Sequence, residues 1–161
     1  MTEPSPGPLS DLRVVEMGQL LAGPFCGQLL ADFGAEVIKL EAPGIGDPMR
    51  QWGREKPHGR SLWWPVVARG KKSVTCNLRS EEGQDLARRI IADADIVVEN
   101  FRPGTLERWG LGFEQLREIN PRLIMARVTG YGQNGPYAPR AGFGSIGEAM
   151  GGIPVSYTHL T

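Results

Sequence analysis

The sequence predicts an α/β fold with a largely parallel sheet, and two observations carry that expectation. Short apolar runs rich in β-branched residues alternate with helical patterns along the chain, the order that builds a parallel sheet. The first alternation, over 12–40, is a complete strand–helix–strand unit, and such crossovers are nearly always right-handed.

Leu12–Met17 (LRVVEM) reads as a buried strand. Pro24 suits the first turn of a following helix, where its missing N–H costs nothing. Phe25, Leu29, Leu30 and Phe33 recur at helical spacing, and Gly34 closes that helix. Glu36–Leu40 is a second strand. From Ala42 to about Gly59 the pattern dissolves into Gly, Pro and charge, and a loop this long in a compact domain is usually functional. Ser61–Ala68, with Trp63, Trp64 and Pro65, reads as a short buried helix or turn, and Ser73–Leu78 as a third strand. Ser80 is an N-cap, with Glu81 and Glu82 at the positive end of the helix dipole; Leu86, Ile90 and Ile91 form the buried stripe. Asp95–Val98 and Leu123–Val128 are the fourth and fifth strands, separated by short helical pieces near 103–108 and 113–119. Phe143–Gly152 reads as an amphipathic helix with Ile146 and Met150 inward.

Both ends differ in character. Residues 1–8 read as a disordered lead without the basic start and apolar run of a secretory signal. Pro154–Thr161 can be encoded by CCT GTC TCT TAT ACA CAT CTG ACG, which after its first base resembles the end of a transposon-derived sequencing adapter. The expectation is that residues 154–161 are a non-native tail on a truncated reading frame.

The 161 residues are 40% apolar and 22% charged, with eighteen basic residues balancing eighteen acidic ones. No global field points to nucleic acid or an anionic membrane, so an anionic ligand needs a local group of cations. No apolar stretch approaches the roughly 18 residues of a bilayer span. Cys26 and Cys76 lack metal or redox spacing; one disulfide between them is the alternative to the favoured reading, two free thiols of a reducing cytoplasm.

Ligands of parallel sheets sit beyond the carboxyl ends of the strands. The segments there are Gly18–Pro24, Glu41–Gly46, Arg79, Glu99–Gly104 and Thr129–Gly135, rich in glycine and followed by Arg102, Arg108 and Arg140. Such a lining suits an elongated, phosphorylated small ligand, although surface arginines and turn glycines give the same composition. Gly18–Pro24 lacks the Gly-x-Gly-x-x-Gly spacing of a dinucleotide loop, which excludes a nicotinamide cofactor. His58 falls in the irregular loop, the acidic pairs fall on helix starts and turns, and no hydrolase elbow or metal set is present.

Over roughly Leu9 to Ile153 the ordered motifs resemble family III CoA-transferases, the CaiB/BaiF family. They are Leu21-Ala22-Gly23-Pro24, Phe33-Gly34-Ala35-Glu36-Val37-Ile38-Lys39-Leu40-Glu41, Gly44-Ile45-Gly46-Asp47-Pro48-Met49-Arg50 and Lys71-Lys72-Ser73. Then come Asp95-Ile96-Val97-Val98-Glu99-Asn100-Phe101-Arg102-Pro103-Gly104, the most specific, Asn120-Pro121-Arg122-Leu123-Ile124, and Thr129-Gly130-Tyr131-Gly132-Gln133-Asn134-Gly135-Pro136. Each is weak alone; the ordered series is strong.

The resemblance implies an incomplete Rossmann-like domain from a chain that forms an interlocked homodimer. It implies CoA exchange between an acyl-CoA and a carboxylic acid, with no metal. By position, Leu21 and Ala22 contact the thioester end, and Cys76 and Arg79 line the nucleotide part. Asn100, Phe101, Arg102 and Arg108 match the loop and short helix after the fourth strand, and Arg140 falls near the pantetheine. The catalytic aspartate lies roughly twenty residues past Ile153 by the family's spacing, outside this sequence. Two departures bear on substrate. Leu21 stands where the formyl-CoA branch has Gln, and Phe143 falls where the racemase branch has a proton-transferring His.

Overall fold

The computed structural model describes residues 7–150. Five strands, β1 (Arg13–Glu16), β2 (Glu36–Glu41), β3 (Lys71–Thr75), β4 (Ile96–Glu99) and β5 (Ile124–Arg127), form one sheet in the order β3-β2-β1-β4-β5. Every neighbouring pair is parallel, which gives the Rossmann-like α/β architecture expected from the alternation. The crossovers use α1 (Ala22–Asp32), α2 (Trp64–Val67), α3 (Glu81–Ile91), α4 (Thr105–Arg108) and α5 (Phe113–Ile119), and α6 (Gly144–Met150) follows β5. The winding direction reverses between β1 and β4, so a crevice opens there beyond their carboxyl ends.

Strand alternation divides the core in two. On one face Val15, Met17, Leu40 and Val97 pack with Ala87, Ile91, Leu106, Leu111 and Leu116 from the α3–α5 side. On the other, Val14, Val37 and Val98 meet Cys26, Leu30 and Ala31 of α1. Both cysteines are free.

The α1 face departs from the sequence expectation. Leu21, Phe25, Leu29 and Phe33 recur every four residues, yet they are 43%, 49%, 43% and 55% exposed. The buried face of α1 is Gly23, Pro24, Gly27 and Gln28. Alternation puts Glu16, Lys39 and Glu41 on the same side of the sheet as Val14 and Val37, so α1 crosses charged side chains and needs small residues to do so.

Other boundaries shift for local reasons. β3 begins at Lys71, two residues earlier than predicted, and after Cys76 donates its N–H to Glu41 O at 2.8 Å the chain leaves the ladder. α2 is largely exposed rather than buried; Arg50 lies 3.9 Å over the Trp64 ring, and Ser61 and Val67 are the buried residues of that stretch. In α3, Ser80 Oγ accepts from Gly83 N as a cap should, and Leu86, Ile90 and Ile91 all join the core. Met150 is 68% exposed, so the inward face predicted for α6 is confined to half-buried Ile146. Of the expected lead over 1–8, residues 1–6 lie outside the described residues, as does the expected tail over 154–161, while Gly7 and Pro8 are described and Gly7 O accepts from Ser10 N at 3.1 Å. Among the described residues no helix is long and apolar enough to cross a membrane.

Candidate functional site

The β1–β4 crevice is closed by one side chain. Asn100, just beyond β4, accepts from Gln19 N through Oδ1 at 2.7 Å and donates from Nδ2 to Gln19 O at 2.8 Å. Gly18 leaves room for it: a Cβ there would stand 2.8 Å from Asn100 Oδ1. The loop then reaches Leu21, the N-cap of α1, and exposed Ala22, its first residue. Leu21 brings no side-chain cap, and first-turn N–H groups have no intrahelical acceptor. The start of α1 therefore offers donors and positive dipole at the crevice.

Beneath this loop lies a buried group of four charges. Lys39 Nζ donates to Glu16 Oε1 at 2.7 Å and to Gly18 O at 2.9 Å, and lies 2.8 Å from Asp47 Oδ2 as an ion pair. Lys71 Nζ meets Glu16 Oε2 and Pro24 O, each at 2.5 Å. Two cations and two anions leave the group neutral, which is how such burial is tolerated. Burial pushes the Lys71 ammonium below its ordinary value, against the pull of Glu16.

Asp47 connects this group to a second one. Its Oδ1 accepts from Met49 N at 2.8 Å and Leu20 N at 3.1 Å, and its own N–H donates to Glu41 Oε2 at 2.8 Å. Arg50 forks onto both Glu41 oxygens at 2.8 Å, and Ser73 Oγ donates to Oε1 at 2.5 Å. Burial favours the neutral acid, but these donors outweigh it and bring Glu41 down from the usual 4.5 to about 2.

The β4 side has its own support. Fully buried Glu99 accepts from Phe101 N and from Arg127, each at 2.7 Å, and Arg127 also reaches Glu107 of α4 at 2.7 Å. Burial raises the Glu99 carboxyl despite Arg127. Phe101 is thereby set edge-on against Trp109, 5.5 Å between ring centres. Arg102 is exposed, and Arg108 is exposed on α4 with Nη2 donating to Thr105 Oγ1 at 3.2 Å.

Asn100 thus holds Gln19, two residues before Leu21 and three before Ala22, and Phe101, Arg102 and Arg108 follow it after β4. Arg79 is exposed beyond β3, three strand steps from β4, about 14 Å at the ordinary strand spacing. Arg79 and Arg108 suit separate points of an elongated ligand. Arg140 is exposed after β5, 4.2 Å over the Tyr137 ring. Cys76 differs from the rest: its thiol is buried in the core, donates to Gly83 O at 3.1 Å and is pushed up in pKa by burial. Its side chain is therefore not available to a ligand.

Sequence reasoning missed Glu16, Lys39, Asp47 and Lys71. A signal was present, because Glu16, Lys39, Glu41 and Glu99 interrupt otherwise apolar strands near their carboxyl ends. Charge there demands a buried partner. Among the described residues no group of three or more His, Cys, Asp or Glu is placed to hold a metal.

Over 148 residues the chain is 68% identical to the succinyl-CoA–D-citramalate CoA-transferase of Chloroflexus aurantiacus, covering 92% of this chain and 37% of that protein. It is 40% identical to the human succinyl-CoA:glutarate CoA-transferase, covering 91% and 33%. A crystal structure of a CaiB/BaiF family protein from Brucella suis superimposes with a TM-score of 0.86 at 46% identity, covering 92% of this chain and 40% of that one. The chain therefore spans about a third of the length of these curated relatives. The family model for CoA-transferase family III matches residues 9–158, and the chain belongs to that family.

Proposed function

We propose that the full-length protein carrying this segment transfers CoA between carboxylic acids, with succinyl-CoA as donor and a small dicarboxylic acid such as citramalate as acceptor. The two bonds of Asn100 to Gln19, which tie the loop after β4 to the loop that leads into Leu21 and Ala22, carry the reading. They join the residues assigned to the thioester end with the loop that leads to Arg102 and Arg108. The substrate pair is taken from the relative at 68% identity. Arg79 and Arg108 pair with CoA phosphates, while the start of α1 faces the thioester.

In this reading an aspartate beyond the present sequence attacks the donor acyl carbon and expels CoA thiolate, leaving a mixed anhydride. The thiolate attacks the aspartyl carbonyl, giving aspartyl-CoA and free succinate. The acceptor carboxylate then displaces the thiolate, and the thiolate takes the new acyl group to release product and regenerate the aspartate. The 161-residue chain alone is inactive, and the full protein is a cytoplasmic homodimer that uses no metal. Exposed Phe143, 68% accessible, offers no group for the proton transfer of the sister racemase activity.

The test is incubation of the full-length protein with succinyl-CoA, with and without citramalate, in deuterium oxide. The expected result is citramalyl-CoA only when acceptor is present, no α-deuterium, and a covalent mass increase with donor alone. Rapid α-exchange without acceptor would replace this reading with racemisation. CoA binding with neither reaction would leave a non-catalytic binding module.

A further inference from the structure

Three consecutive residues of the β1 loop are each held by a side chain from a different part of the chain. Lys39 of β2 donates to Gly18 O at 2.9 Å. Asn100 beyond β4 makes its two bonds to Gln19, at 2.7 and 2.8 Å. Asp47 accepts from Leu20 N at 3.1 Å. Leu20 sits at φ +61°, a backbone region that L side chains avoid. Without those bonds the loop has every reason to relax toward an extended form, carrying Leu21 and Ala22 with it.

We propose that Lys39, Asp47 and Asn100 are positioning residues of the transfer reaction, holding Gly18–Leu20 in one strained conformation and so aiming Leu21 and Ala22 at the thioester. This rests on the CoA reading above. Lys39 and Asp47 are also bound into the buried charges, so their loss disturbs the core as well as the loop. Asn100 is the informative member, being uncharged and half-buried, with amide oxygen and nitrogen both turned to Gln19.

Asn100→Ala and Asn100→Asp in the full-length enzyme test it, through kcat, KM for acyl-CoA and hydrogen exchange at the loop amides. Asn100→Ala should lower kcat by about 10- to 100-fold, because misplacement on the order of 1 Å is enough for that. KM should stay within about three-fold, as expected when ground-state binding is untouched. The Gln19 amide should exchange faster, and Asn100→Asp, which keeps the acceptor for Gln19 N, should fall between. Unchanged kcat with faster loop exchange overturns the proposal, as does a raised KM with unchanged kcat, which makes Asn100 a coenzyme contact. If Asn100→Ala does not fold, unchanged kcat in Asn100→Asp overturns it equally. A wild-type enzyme that neither binds CoA nor transfers it refutes the CoA reading instead, and Gln19 exchange in the variants still reports whether Asn100 holds the loop.

Discussion

Gly27 and Glu16 compete for one volume: a Cβ on Gly27 would stand 2.1 Å from Glu16 Oε2. In an ordinary helix interior, Gly to Ala gains roughly 0.5–1 kcal/mol. Here Glu16 must swing away from Lys39 and Lys71, and breaking a buried ion pair costs about 3–5 kcal/mol. Gly27→Ala in the full-length protein should therefore be destabilising by a few kcal/mol in urea denaturation. Gly23→Ala, whose Cβ meets Asn100 at 3.3 Å, should cost far less. Equal effects would mean that the charges beneath α1 yield easily.

The Glu41 carboxyl sets an acid limit on stability. Its folded value of about 2 lies below the ordinary 4.5, so its contribution is present above the unfolded pKa and is lost as pH falls from about 4.5 toward 2. With its side chain only 3% exposed, solvent screening is slight and a shift of this size corresponds to about 3 kcal/mol. Glu99, raised by burial, acts with opposite sign over its own window. Glu41→Gln should lower stability at neutral pH and flatten the acid limb of a melting-temperature profile; an unchanged limb would remove Glu41 as its cause.

Arg79 and Arg108 are exposed with no acidic partner among the described ion pairs. A charge-assisted hydrogen bond contributes about 1.5–3 kcal/mol. Replacing either with Ala in the full-length enzyme should thus weaken CoA binding by roughly 10- to 100-fold. Turnover should change less, since phosphate contacts hold ground and transition states alike. Calorimetric titration with CoA gives the answer, and unchanged affinity in both variants would take them out of the site.

The Leu21–Phe25–Leu29–Phe33 stripe of α1 is accessible along its length, and contiguous apolar surface drives association. The isolated 161-residue chain should self-associate in light scattering, and Phe25→Lys with Leu29→Glu should restore much of the monomer. A monodisperse wild-type chain with a sharp cooperative melt would contradict this.

The strands were legible because a parallel sheet covered on both faces needs uninterrupted β-branched runs, and Val14-Val15 and Val97-Val98 supply them. The Ser80 cap and the α3 stripe were legible for the same local reason. The orientation of α1 was not, since helical periodicity reveals an apolar face without saying what it meets. Gly23 and Gly27 face inward because Asn100 and Glu16 occupy that space, a fact of tertiary contact. Asn100 was found through motif resemblance, which says nothing of its bonds to Gln19. The four buried charges come from β1, β2, the loop after β2 and β3, and spacing along one segment cannot pair them.

The positions of the four buried charges along the chain also bear on assembly during synthesis. Glu16, Lys39, Asp47 and Lys71 have all emerged once β3 begins, so the β1–β2–β3 half of the sheet can settle its electrostatics alone. Asn100 follows Lys71 by 29 residues (100 − 71), about one to six seconds of translation at about 5–20 residues per second. Throughout that interval β1, the future centre of the sheet, has an unpaired edge at Val14 and Val15, the kind of template that recruits foreign strands. The nascent protein therefore carries a charge-neutral but sticky half-sheet until β4 arrives, and its yield should depend on chaperones that shield such edges on the ribosome.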